Sequence, residues 1–592
     1  MIDDVTWDLS DLYEAPEDPG LAGDREWCLR EVDRLASTYA GRVAALSAEE
    51  LFGALKLQEK VEEVSERIGS FAYLFFVTRC DDPDSGRFWQ SAQEFQTRVR
   101  QKLLFFELEW SGIAAGEARA RMNHEALRPF RHYLETLRQQ APYRLSAPEE
   151  RVLETLSLTG QKAWITLFDK LLGSVRFGGE GRPLAGVLAD LHDPVRQKRR
   201  EAALEITQGL QPLLPLLAHI CSSLTLDKSL RDGLRSYPHW LSPMNLRNEL
   251  LDEQIQALVG AVTSRYAIVR DYYRLKKKLL GYSELHDYDR YAPLPGRPQG
   301  RLSWEEARDL VLGAFREFSP DFAGTADLFF EQRWIHGAVS PGKVGGAFSH
   351  PTVPSCHPYI SLHFSGTPRD VLTLAHELGH GIHQHLYRQQ GLFHGRVPPV
   401  MAEIASVFAE MLVFEVLLAR AGTPAERLAM LCAKLEEIFT TTFRQIALHR
   451  FEAGLHQERR TSGELTPDRI SSLWMETQQE MHGDSLHLGD HYRTWWAYIP
   501  HFIHAPGYVH AYAFAELTAL SLFRQYRRGD SGLVPLYLGL LKRGASASPE
   551  ELLRPFGLDI SESDFFHRGI SIVEELLQEA WTCTGDTSSP PG

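Results

Sequence analysis

Apolar residues recur along most of this chain at intervals of three and four rather than two, the period of a helix with one buried face. Helix starts are written into the same segments. Ser47-x-x-Glu50, Ser146-x-x-Glu149, Ser303-x-x-Glu306, Thr423-x-x-Glu426 and Ser548-x-x-Glu551 share one form. In it a hydroxyl accepts a bond from an orphan backbone N–H and a carboxylate reaches back. Pro424 and Pro549 stand at the first helical position, where the missing N–H costs nothing. The pattern predicts a mainly α protein.

One stretch breaks the rhythm. From Gly345 to Gly366 the chain is dense in Gly, Pro and Ser, and Tyr359, Ser361 and His363 alternate with Ile360, Leu362 and Phe364. That is the period of a half-buried strand. Gly342, Gly345 and Gly346 just before it are candidate hinge points as well as ordinary turn glycines. A new helix then begins: Thr367 as N-cap, Pro368 in the first position and Asp370 in the first turn. It is expected to run to Gly391.

This helix carries the chemistry. His376 and His380 are four residues apart, so both imidazoles leave the same face and two such nitrogens can hold one Zn²⁺. Glu377, one position round, can accept a proton from a water on that metal. Gly379 and Gly381 each cost the helix about 1 kcal/mol relative to Ala, which a close neighbour, whether a packed helix or a bound peptide, would explain. His383 shares the face but lies roughly 10 Å from His376 along the axis, which suits packing or support better than ligation. Leu386 occupies the place where a longer histidine pattern has its third ligand. The preferred third ligand is Glu403, on a second helix announced by Pro398 and Pro399. Ala402, Ala405 and Ala409 would let that helix pack closely antiparallel to the first. Glu410, seven residues on, either orients one of the histidines or is an ordinary surface acid.

Length and charge narrow the class. A chain of 592 residues is too long for one core, and lobes at 1–195 and 196–580 are expected, followed by a disordered tail at 581–592. With 63 Lys+Arg against 78 Asp+Glu, a formal charge of -15 and no dense basic stretch, a nucleic-acid or anionic-membrane partner is not expected. The acidic opening, Met1 to Trp7, lacks the form of a signal peptide. The apolar run near Leu213 to Leu217 is too short to span a bilayer. Six scattered cysteines without paired spacing read as reduced thiols, and a cytoplasmic enzyme is expected.

Several segments together resemble the thimet oligopeptidase family of zinc metallopeptidases, in its oligoendopeptidase F branch. HELGHGIH from His376 is similar to the family's zinc motif, and AEIAS from Ala402 to its third-ligand motif. GGAFS and HPYISLHFSGTPRDV resemble the loop and strand before the motif. SLTGQKAW from Ser157 and DYDRYAPL from Asp287 resemble upstream helical segments. The resemblance implies a two-lobed helical metallopeptidase with a deep substrate channel, one zinc per chain held by His376, His380 and Glu403, and oligopeptide substrates. It also implies a C-terminal loop, here Ile499 to Phe514, in which His501 and Tyr508 assist catalysis and Tyr512 contacts substrate. His504 competes with His501 for that place. Gly507, His510 and Ala515 depart from the usual aromatic pattern. The strand from Tyr359 to Phe364 would then bind an extended peptide by strand addition, making Tyr359, Ser361 and His363 substrate-binding residues.

The expected activity is endopeptidase cleavage of short unfolded peptides. The alternatives are a dipeptidyl carboxypeptidase of the same family, a peptide- or zinc-binding protein without catalysis, or a helical scaffold with an accidental motif. The Gly-x-Met-Glu-Asn segment of the gluzincin aminopeptidases is missing.

Overall fold

The computed structural model describes residues 5–179, 181–294 and 300–585. The chain forms two compact units, each drawn from three segments: Met1–Pro142, Gln299–Arg420 and Gln525–Leu558 in the first, and Tyr143–Pro298, Ala421–Arg524 and Asp559–Gly592 in the second.

After a first helix, Pro19–Tyr39, the first unit continues with two longer ones, α1 (Ala48–Val77) and α2 (Pro83–Gly112). Ser47 and Glu50 cap α1 reciprocally, and Asp82 accepts the N–H groups of Asp84 and Ser85 at the start of α2. Leu51, Leu55, Phe106, Trp110 and Leu134 form a core beside them, and the Trp110 indole donates to the Leu134 carbonyl at 2.9 Å. Two further helices, α3 (Pro368–Tyr387) and α4 (Pro399–Ala419), make the most extensive helix pair in the unit. Thr367 and Asp370 form a capping box at the start of α3. Its end is a 3₁₀ turn closed by Gly391 at φ 88°, a left-handed position suited to glycine. Gly379 is why α3 and α4 can touch: a Cβ there would lie 2.5 Å from the Ala405 carbonyl and 2.8 Å from Ala409 Cβ. Gly381 faces Phe329 in the same way, at 2.7 Å. Helix packing, rather than an approaching peptide, accounts for both glycines.

A small sheet precedes α3. Its strands are β1 (Ile335–His336), β2 (Phe348–His350) and β3 (Tyr359–Ser361), in the order β1-β3-β2. β3 is parallel to β1, with Ile335 opposite Ile360, and antiparallel to β2, with Ser349 opposite Ile360. This corrects the expectation of a half-buried, substrate-pairing strand. β3 is central, so both of its backbone edges are already bonded, and Tyr359, Ile360, Ser361 and Leu362 are all buried. The chain start covers the second face: Trp7 packs edge-on against Tyr359, whose hydroxyl donates to the Asp8 carbonyl at 2.8 Å. Tyr359 and Ser361 are therefore structural residues. The partly exposed His363 is bonded through Nε2 to the Val344 carbonyl at 3.0 Å. Gly342 and Gly346 both have positive φ, and a Cβ on Gly342 would collide with the Asp81 carboxylate, the signature of a packed turn.

The second unit is all helix around a core containing Phe168, Phe451, Trp474, Tyr492, Trp495 and Phe502. One buried cation here has a buried anionic partner: Arg199 and Asp289 pair at 2.8 Å with both side chains out of solvent. Helix α5 (Arg444–Ser462) and helix α6 (His510–Arg527) carry the polar residues discussed below. The helical stretch 196–234 is apolar enough by length and composition to cross a membrane, but Leu217, Ala218, Ile220 and Cys221 are buried within this unit's core. All six cysteines are free.

The compact units do not follow the expected division at residue 195. Helical periodicity reports that a face is buried, not which segment buries it, so a chain that returns twice to each unit leaves no boundary in its pattern. The tail expected from residue 581 is helical at its start. The helix Ser563–Cys583 continues with Ala580 and Trp581 buried, and residues 586–592 lie outside the described residues.

Candidate metal centre

The first turn of α4 lies against the middle of α3 and brings three side chains together. Glu403 Oε2 is 3.3 Å from His376 Nε2 and 3.3 Å from His380 Nε2. His376, His380 and Glu403 are the group that could share an ion among the described residues. The spacing is informative. Ligand atoms about 2.0–2.1 Å from one zinc in a tetrahedral arrangement are separated by roughly 3.3 Å, and the Glu403 oxygen stands at that distance from each imidazole nitrogen.

The surroundings are polarised towards this task. Glu410 Oε2 lies 3.1 Å from His376 Nδ1, which directs Nε2 of the same ring to the shared point, as carboxylate partners of metal-binding histidines do. Seven residues separate Glu403 from Glu410 on one helix, which sets both on the face towards α3. Burial alone would raise the Glu403 carboxyl, but its contacts with His376 and His380 outweigh that and hold it well below the usual range. Burial would lower His376, and its contacts with Glu403 and Glu410 instead raise it well above its ordinary value. Glu377 is raised by burial, and its Oε2 is enclosed without a hydrogen-bond partner in the protein. A buried lone carboxylate oxygen is costly and fits a site that receives a water or substrate. His383 is buried edge-on against Tyr387, and burial pushes it down to about 3; it stands outside the donor group.

The sheet sets its edge strand β2 against α3. One side of β2 pairs with β3, while on its other flank the Gln384 amide of α3 donates to the Ser349 carbonyl at 3.3 Å.

His501, Tyr508 and Tyr512 belong to the second unit and cluster there. Tyr512 packs edge-on against both His501, at 6.0 Å between ring centres, and Tyr508, at 5.1 Å. His501 lies in the short helix His501–His504, and Tyr512 in the first turns of α6. His504 turns away to Asp169, with Nε2 at 2.9 Å from Oδ1. Glu452 of α5, which the sequence reading passed over, anchors the bend. Its Oε1 accepts the Gly507 N–H at 2.8 Å, where φ is 80° and a Cβ would meet Leu241 at 2.9 Å. Burial raises Glu452 to about 8. His449, Glu452 and His456 recur on one face of α5, all buried; that spacing was the available signal.

The comparisons with known proteins agree with this architecture. The model for Peptidase family M3 matches residues 317–572, which include the whole donor group, and that for Oligopeptidase F matches residues 109–177. Residues 317–572 are thus a peptidase family M3 domain. Oligopeptidase PepF of Bacillus subtilis is 25% identical over 97% of this chain and 86% of its own length. The Oligoendopeptidase F homolog of Lactococcus lactis is 25% identical over 97% of this chain and 96% of its own. M3 is a metallopeptidase family, and its oligoendopeptidase F branch is the one these relatives share. In fold, a crystal structure from Chlamydophila abortus matches with a TM-score of 0.86, at 23% identity, over 98% of each chain. Oligoendopeptidase F from Enterococcus faecium matches with a TM-score of 0.73, at 20% identity, over 95% of this chain and 98% of that one.

Proposed function

We propose that this M3 peptidase is a zinc-dependent endopeptidase that hydrolyses internal bonds of short, unfolded oligopeptides. One observation carries the reading: the enclosed, partnerless Glu377 Oε2 stands next in sequence to a donor group whose atoms lie close enough together to share one ion. His376, His380 and Glu403 would hold one zinc per chain. A bound zinc ion supplies Lewis acidity, acidifying a water and polarising a carbonyl oxygen.

The chain's own residues do the rest. Glu377 Oε2 takes a proton from the attacking water and later delivers it to the departing amine nitrogen. Glu410 holds the His376 ring by Nδ1, so that Nε2 keeps its direction. By the family resemblance, Tyr508 and His501 would be the donors to the developing oxyanion. An extended peptide adds to the edge strand β2 where Gln384 now meets Ser349, gaining backbone hydrogen bonds that do not depend on its sequence. The names of the relatives, oligopeptidase and oligoendopeptidase, support short peptides as substrates.

The test joins metal analysis to cleavage. The purified protein should hold close to one zinc per chain, and should cut an internally quenched peptide with both ends blocked. Chelation should abolish the activity and zinc should restore it. Release of a dipeptide from free C-termini only, with the blocked peptide intact, would replace endopeptidase by dipeptidyl carboxypeptidase. Absence of bound metal would overturn the reading.

A further inference from the structure

Two cavities in the first unit share a wall. One, of about 320 Å³, starts at His380, follows Gln384 and Arg388 along α3, and is bounded by Ala402 and the turn 351–354. The other, of about 360 Å³, lies between α1 and α2, among Gln58, Ser65, Gln96 and Val99. Glu66 and Arg396 line both. Arg396 Nη2 donates to Glu62 Oε2 at 2.6 Å and to Glu66 Oε1 at 2.8 Å, so a charge-assisted bridge stands where the cavities meet.

The bridge is built into the frame of the unit. Arg396 belongs to the connection between α3 and α4, and that connection is tied to α1 a second time, where the Leu392 N–H donates to Glu59 Oε1 at 3.0 Å. Gly391 makes the approach possible, since a Cβ there would lie 2.3 Å from the same oxygen. Glu59, Glu62 and Glu66 are spaced by three and four residues, so they form one row on α1. The phenyl ring of Phe393 lies under the Arg396 guanidinium, at 5.6 Å, and limits its swing.

We propose that the cavity beside His380 receives the peptide chain on one side of the cleaved bond. The bridge from Arg396 to Glu62 and Glu66 is its end wall, and it sets how many residues that side accepts. The inference rests on the peptidase reading above. β2 leads directly into the turn 351–354, so a peptide paired along the edge of β2 runs on into this cavity. His380 and Arg388, the residue just past the end of α3, are about 12 Å apart by helix rise. An extended chain at ~3.3–3.6 Å per residue covers that distance with three or four residues. A longer extension on that side meets the bridge, and removing the bridge joins the first cavity to the second.

A series of internally quenched peptides with one common cleaved sequence, lengthened stepwise on either side, tests this in the full-length zinc-loaded protein. The readout is the ratio of kcat/KM for long to short peptides on each side. For the wild type this ratio should fall on one side only, beyond about four residues. Arg396→Ala should raise it on that side by on the order of tenfold, and Glu66→Gln, which removes one of the two bonds, by a smaller factor in the same direction. An unchanged length profile in both variants, or equal changes on both sides, overturns the end wall while leaving the peptidase reading in place. Loss of all cleavage in both variants also overturns it, because the bridge is then part of the structural frame. A wild type that cleaves no peptide of the series takes down the peptidase reading and this inference together.

Discussion

The metal centre and the segment from His501 to Tyr512 use similar residue types, yet they are assembled in opposite ways. In the centre, each pair of polar side chains comes from one regular helix: His376 with His380, four apart, and Glu403 with Glu410, seven apart. In the segment, the side chains come from a four-residue helix, a bend at Gly507 and the first turns of α6, and the bend is held by a buried acid from α5. Spacing on a regular helix is already a statement about direction. Spacing across a bend is not, and this is why His501 and His504 were indistinguishable before the fold was known. The fold groups His501 with the tyrosines and gives His504 to Asp169.

The largest test strikes the helical side of this comparison. Glu377→Gln should lower kcat by about 10³-fold, within the range for loss of a general base, while retaining zinc. Peptide cleavage at the wild-type rate would refute its role.

Next comes the bend. Tyr508→Phe removes one hydroxyl and should lower kcat by about 10²-fold, the order expected for one oxyanion donor. His501→Ala should cost far more activity than His504→Ala, and the reverse ranking would show that the packed grouping misidentifies the working imidazole.

Glu410→Gln sharpens the comparison within the centre itself. Weakening the hold on His376 should reduce zinc affinity by about 10–100-fold, measured by competition with a chelator. Unchanged affinity would reduce Glu410 to a packing residue.

The smallest effect concerns the anchor of the bend. Folded Glu452 ionises near 8 against an ordinary value of 4.5, so the native state binds this proton more tightly than the unfolded chain. Its contribution to stability is complete below pH 4.5 and is lost as the pH rises through 8. Glu452→Gln keeps an acceptor for the Gly507 N–H and cannot ionise. Its Tm relative to the wild type should therefore climb with pH across this window, and a pH-independent difference would mean that Glu452 is not the titrating group.

Legibility along the chain follows the same division. The capping residues Ser47, Ser146 and Ser303 form reciprocal boxes with the expected glutamates. Thr423 and Ser548 cap from one side only, and Glu426 instead accepts the Gly422 N–H. The strand after Gly345 was visible as alternation, but alternation could not show that β3 is central. Trp7 and Asp8 cover its second face from more than three hundred residues away in sequence, and no local period encodes that. The wall at Arg396 was equally hidden, because its carboxylates stand on α1.

The amino-acid order alone determined the helices, most of their caps and the shared face of His376 and His380, because a helix is made by bonds between residues four apart and its side-chain directions follow from backbone geometry. Tertiary structure decided that Glu403 and Glu410 meet that face, that Gly379 admits a helix rather than a substrate, and that β3 lies at the centre of the sheet and β2 at its edge. Those outcomes depend on contacts between segments far apart in the chain, where shape and burial select the partner and local spacing is silent.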